Sequence, residues 1–100
     1  MSISIRLVKK DACFVQEKFN ILRQILFIRD NGQVYYYQYD LSTGKPENTF
    51  PGVCRRKQIT RWADRIATID EIASLRADMA QLRMTEAMEK IENYFLTLEE

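Results

Sequence analysis

The chain has 100 residues, 46% of them hydrophobic, with a net charge of +1 and two cysteines, the size and composition of a single small globular domain. Its longest aliphatic or aromatic run, Ile25-Leu26-Phe27-Ile28, falls far short of the roughly 20 apolar residues of a membrane-spanning helix, and the first ten residues lack a secretory h-region, so a cytoplasmic protein without membrane contact is expected. With no histidine in the sequence, the usual general base, the commonest metal ligand and the Ser-His and Cys-His pairs are missing, so no enzyme activity, cofactor or metal site is expected.

In chain order, Ile3, Ile5 and Leu7 alternate with Ser2, Ser4 and Arg6, which predicts a strand over about 2–9. Residues 12–23 fit both periods. Ala12, Val15, Phe19 and Leu22 have helical spacing, but the β-branched and aromatic residues tilt the segment towards a strand over about 13–22. Asn31-Gly32 is the pair that best tolerates positive φ at both centres of a type I′ turn, and it predicts a hairpin of strands 24–30 and 33–40. In that register Ile28 faces Tyr35 and Leu26 faces Tyr37. One side then carries Leu26, Ile28, Tyr35, Tyr37 and Tyr39, and the other carries Ile25, Phe27, Val34 and Tyr36. Both sides are apolar, so both need a cover.

Leu41 to Gly52 reads as a loop, with Ser42-Thr43-Gly44, Pro46 and Pro51-Gly52 as turn formers and Phe50 as its anchor to the core. Beyond it the period becomes helical. Ile59, Trp62, Ala63 and Ile66 share one face of a helix over about 55–67, which places Trp62 as a buried anchor. Thr68 and Glu71 form an S/T-x-x-E capping box that starts a second helix over about 70–97. Within it, Ile72, Leu75, Met79 and Leu82 form one stripe, and Met84, Met88, Ile91, Phe95 and Leu98 form another. The two point in different directions, so the helix either breaks near Thr85 or buries different faces against different partners. The expected fold is α+β, an antiparallel sheet of three or four strands with the two helices packed on one face. Cys13 and Cys54 match no zinc or redox spacing and are expected to be buried thiols.

The charge is lopsided. Residues 1–61 hold 11 Lys and Arg against 5 Asp and Glu, whereas residues 62–100 hold 4 against 9. Arg55, Arg56, Lys57, Arg61 and Arg65 gather around Trp62, with Lys57, Arg61 and Arg65 forming a stripe at i, i+4 and i+8 opposite the apolar face. No Ser, Thr, Asp or Asn between Gly52 and Lys57 is available to cap the helix start, so these residues are candidates for contact with an anion. That anion is either a nucleic acid or the acidic part of the same protein, and the second needs no further partner. Tyr35, Tyr37 and Tyr39 on one strand face could stack bases, but a core wall or a subunit contact is the commoner use of such residues.

Together with Met84, Met88, Ile91 and Phe95, these tyrosines are the candidate surface for self-association or for a protein partner. The expected function is that of a small non-enzymatic interaction or regulatory protein that self-associates as a homodimer. The alternative is a nucleic-acid-binding module that uses the basic helix face.

Overall fold

The computed structural model describes residues 3–48 and 51–99. Five strands, β1 (Cys13–Gln16), β2 (Ile21–Ile28), β3 (Gln33–Asp40), β4 (Gly52–Arg55) and β5 (Arg65–Ile66), form one antiparallel sheet in the order β4-β3-β2-β1-β5. The helices are α1 (Arg56–Trp62), between β4 and β5, and α2 (Ile69–Ala73) and α3 (Ala77–Glu99), after β5. The fold is α+β, with more strands and one more break in the helical region than the sequence predicts.

Among the described residues the strand expected over 2–9 does not form. Ile5–Leu7 is a 3-10 turn closed by the Leu7 N–H to Ser4 O bond, and only Val8 of this stretch is buried. The sheet edge beside β1, which a first strand would need, is occupied by β5 through the pairs Phe14 with Ile66 and Val15 with Arg65. The segment expected as a strand over 13–22 divides. β1 ends at Gln16, a 3-10 turn spans Glu17–Phe19, and Asn20 takes the left-handed conformation at φ 54°, which a short polar side chain tolerates. Residues 17–20 are thus the loop of a hairpin that pairs Gln16 with Ile21.

The second hairpin forms where expected, in a different register. Arg29 and Gln33 close a three-residue loop through Arg29 N–H to Gln33 O and Gly32 N–H to Arg29 O, with Gly32 at φ 86°. This is a type I turn followed by a left-handed glycine, so Asn31 need not adopt positive φ. Ile28 then pairs with Val34 and Phe27 with Tyr35, and a bulge at Leu26 shifts the ladder again, so that Ile25 pairs with Tyr36 and Gln24 with Tyr37. As a result Ile28 moves to the side of Ile25 and Val34, and Phe27 moves to the side of the tyrosines.

Both sheet faces carry a core, and the helices divide between them instead of packing on one face. On the first face Phe14, Ile25 and Val34 pack with Val8 and with Ile59 and Ala63 of the α1 segment. On the second, Cys13, Val15, Leu22, Tyr37 and Tyr39 pack with Ala67 and with Leu75 and Ala80 of the α2–α3 region.

α1 stops five residues short of the expected end because the sheet edge offers its chain better bonds. The Asp64 N–H donates to Val15 O, the Ala67 N–H to Cys13 O, and the Asp64 carboxylate accepts the Glu17 N–H at 2.8 Å. The expected helix over 70–97 is two helices, and the break lies at residues 74–76, not near Thr85. There the Arg76 N–H donates to Gly44 O at 2.7 Å, tying the turn after β3 to the start of α3. The first apolar stripe read from the sequence is divided by this break, with Ile72 in α2, Leu75 in the turn and Met79 and Leu82 in α3, while the second lies wholly in α3. Phe50 lies outside the described residues, as do the side chains of Met84 and Phe95. No helix of the described residues is long and apolar enough to cross a membrane.

Candidate functional site

The five basic residues that the sequence groups together do not form one surface. Arg55 ends β4 and Arg65 begins β5, at opposite edges of a five-stranded sheet, about 19 Å apart at ordinary strand spacing. The expected stripe of Lys57, Arg61 and Arg65 also fails, because Arg65 lies beyond the end of α1. Its guanidinium makes a bidentate pair with Glu71, at 2.6 and 2.8 Å, and a third bond to Glu17 at 2.8 Å. These two carboxylates raise the pKa of Arg65, so the anion for this residue lies within the chain.

Arg55 sits over the hairpin turn, donating from Nη1 to Asn31 O, and its own N–H is accepted by Gln58 Oε1 at 2.6 Å. Gln58 thereby satisfies one amide at a helix start that lacks the usual cap residues. Arg56, Lys57 and Arg61 are exposed, and among the described residues no carboxylate lies within ion-pair distance of them. α1 has only seven residues. Its charged side is a short basic strip, not a phosphate cradle.

Glu71 is the hinge of the acidic side. Its carboxylate accepts both Arg65 nitrogens and the Thr68 N–H at 2.9 Å, while the Glu71 N–H donates to Thr68 Oγ1. Hydrogen bonding to Arg65, then to the Thr68 amide, holds its pKa down at about 2 from an ordinary 4.5. The folded state thus prefers the ionised carboxylate. The resulting stability is full above about pH 4.5 and is lost as pH falls towards 2. Urea midpoints measured from neutral pH downwards should fall through that window. Glu71→Gln should start about 1 kcal/mol less stable at neutral pH and show a shallower decline, and equal slopes for the two proteins would remove Glu71 as the titrating group.

Trp62 is half-buried and not a closed core anchor, and Ile66, expected beside it, is 51% exposed on β5. Trp62 covers a side chain that no sequence motif singles out. The Arg23 guanidinium lies 4.2 Å from the Trp62 ring centre and 4.4 Å from that of Tyr36, and Arg23 Nε donates to Gln38 Oε1 at 2.9 Å. Flat cations stack well between aromatic faces, so Arg23 closes the end of this core. On the opposite face Tyr35, Tyr37 and Tyr39 do line one side of β3, but their exposure is graded. Tyr37 and Tyr39 are 6% and 0% exposed, and burial pushes the Tyr39 hydroxyl up to about 12. With so little surface left, neither offers a ring face on which a base could stack. Burial likewise pushes the Cys13 thiol up to about 11, making it a poor nucleophile.

Only Tyr35 of the three remains accessible, and it has company that the expected register had concealed. Its ring stacks on Phe27 at 4.5 Å between centres, and its cross-strand neighbour is Val53. Phe27 and Val53 are 46% and 49% exposed. Phe27 also lines a groove of about 400 Å³, with Leu26, Tyr37, Pro51, Ala77 and Gln81, that runs to the base of α3. Two cations stand at the hairpin end of this patch: Arg29, donating to the Tyr35 hydroxyl at 3.2 Å, and Arg55. The sequence signal that could have found it is Asp30-Asn31-Gly32, which equally suits a three-residue loop and so the register that brings Phe27 to Tyr35.

The second apolar surface is on α3. Among its described side chains Ala80 is the last buried one, and from Gln81 onward every described side chain of the helix is exposed, including Met88 at 49% and Ile91 at 40%. Comparison of the chain with known protein families, with curated proteins and with solved structures returns no match.

Proposed function

We propose that the protein is a non-enzymatic interaction protein that works as a homodimer, with α3 as its association element. The observation that carries this reading is the uncovered length of α3. A helix in water draws most of its stability from packing an apolar face, and an isolated one is marginal. Here the helix runs on from Gln81 to Glu99 with Met88 and Ile91 exposed on one stripe and, among the described residues, nothing of its own chain over them. The lack of histidine in the sequence and the raised thiol of Cys13 support a binding role over a catalytic one.

Light scattering at micromolar and tens-of-micromolar concentration should give twice the chain mass. Met88→Glu/Ile91→Glu should give the monomer without loss of the sheet signal in circular dichroism, because both side chains lie outside the folded core. A monomer mass for the unaltered protein at every concentration would end this reading.

A second reading has its own observation, the exposed and unpaired strip of Arg56, Lys57 and Arg61. If it contacts phosphates, oligonucleotide binding must appear at low salt, weaken steeply with added salt and disappear in Arg61→Glu. The burial of Tyr37 and Tyr39 removes the stacking platform that would have strengthened it.

A further inference from the structure

The homodimer reading leaves open what α3 lies against, and the second apolar surface answers it. We propose that the outer part of α3 of one copy seats on the Phe27–Tyr35–Val53 patch and the adjoining groove of a second copy, and that the exchange is reciprocal. The inference rests on the homodimer reading and goes further by naming the receiving surface.

Three features fit the helix to the seat. Among the described residues neither surface has a cover in its own chain. Phe27 and Val53 stand about half exposed on the sheet, and Met88 and Ile91 do so on the helix. The groove is open and apolar beside Phe27 and extends the patch as far as Ala77 and Gln81 at the base of α3. The charges are complementary. Glu89 and Glu92, three residues apart, lie along one side of the Met88–Ile91 stripe, while Arg29 and Arg55 stand at the rim of the patch, and among the described residues neither arginine has a carboxylate partner. This makes the lopsided charge of the chain a matching pair: the basic hairpin end of one copy receives the acidic helix of the other.

The geometry favours a two-fold arrangement over a chain of copies. One helix on one sheet face is a small contact, whereas exchange about a two-fold axis makes the same contact twice, towards the roughly 1,200–2,000 Å² of a stable interface, and it closes the assembly. The seat also adjoins the base of the receiving copy's own α3 through Ala77 and Gln81, so the two α3 helices would lie side by side.

Charge reversal on each side tests the seat. Arg29→Glu/Arg55→Glu and Glu89→Lys/Glu92→Lys should each weaken the dimer about tenfold in sedimentation equilibrium, and the variant carrying all four changes should recover most of that loss. Because Arg55 also braces the hairpin turn, Val53→Asp serves as a second probe with no such bond, and it should weaken the dimer while leaving the urea midpoint of the monomer unchanged.

If Met88→Glu/Ile91→Glu dissociates the dimer but the Arg29/Arg55 and Val53 variants do not, α3 pairs with α3 and the seat is wrong, while the homodimer reading stands. If charge reversal weakens the dimer on each side but the fourfold variant recovers nothing, the two sets of charges do not meet. A monomeric unaltered protein overturns both proposals.

Discussion

Gly44→Ala is expected to destabilise the protein by about 3 kcal/mol or more and to loosen α3 from the sheet. Gly44 has φ +73°, in the left-handed region, where a side chain alone costs roughly 1–2 kcal/mol. The greater obstacle is space. A Cβ built at this position lies 2.2 Å from the Ser74 carbonyl oxygen, a backbone atom that cannot swing away as a side-chain tip could. Moving Ser74 would break the Arg76 N–H to Gly44 O bond and displace Leu75, which packs against the Tyr37–Tyr39 core. Urea unfolding should show the lost stability directly. Hydrogen exchange should show it locally, with the amides of residues 75–80 losing protection before those of β2 and β3. Uniform loss across the sheet would mean that the contact is not a local tie between the turn and α3.

Phe14→Ala should cost about 3–5 kcal/mol, a large share of the roughly 5–15 kcal/mol that holds a domain of this size together. Phe14 is 1% exposed, in a strand with neighbours on both sides, and its ring fills the space between Ile25, Val34, Ile59 and Ala63. The seven-residue α1 packs on the same cluster through Ile59, so it should loosen with the loss of the ring. The measurement is the urea midpoint together with near-ultraviolet circular dichroism, which should weaken before the far-ultraviolet sheet signal. Phe27→Ala is the informative contrast. That ring is about half exposed, so truncation should cost the monomer about 1 kcal/mol or less. A similar large loss at both positions would show that Phe27 belongs to the core.

What the sequence reveals and conceals here follows from the range of each signal. The capping box at Thr68 and Glu71 is local, and it forms with both reciprocal bonds in place. β3 is local too, since its β-branched and aromatic residues follow directly on the Asn31-Gly32 turn signal, and the strand occupies the expected bounds, Gln33–Asp40. β4 and β5 are four and two residues long, too short to show a period, and they exist because neighbouring strands offer unpaired edges. The end of α1 was concealed for the same reason: Ile66 continues the helical spacing, but the free edge of β1 outbids one more helical turn.

The candidate patch depended on register, and register depended on a loop of three residues instead of two and on a bulge at Leu26. A one-residue slip turns every side chain to the other face. That slip separated Phe27 from Tyr35 in the expected arrangement and hid the patch. The charge asymmetry was legible, but its meaning was not, because it takes the fold to show that Arg65 is already matched by Glu17 and Glu71 while Arg29 and Arg55 are not.

The stacking of Arg23 between Tyr36 and Trp62 gives the molecule a built-in optical reporter. Trp62 is the sole tryptophan, and it views only the α1 side of the sheet. Its emission will follow the release of Arg23 and the melting of that side, and it will be largely blind to events on the tyrosine side. Tyrosine absorption mixes the two sides, since Tyr36 stacks with Arg23 while Tyr35, Tyr37 and Tyr39 face the other way. Long-wavelength excitation, where tryptophan alone absorbs, therefore isolates the unfolding of the Trp62 side in the unlabelled protein.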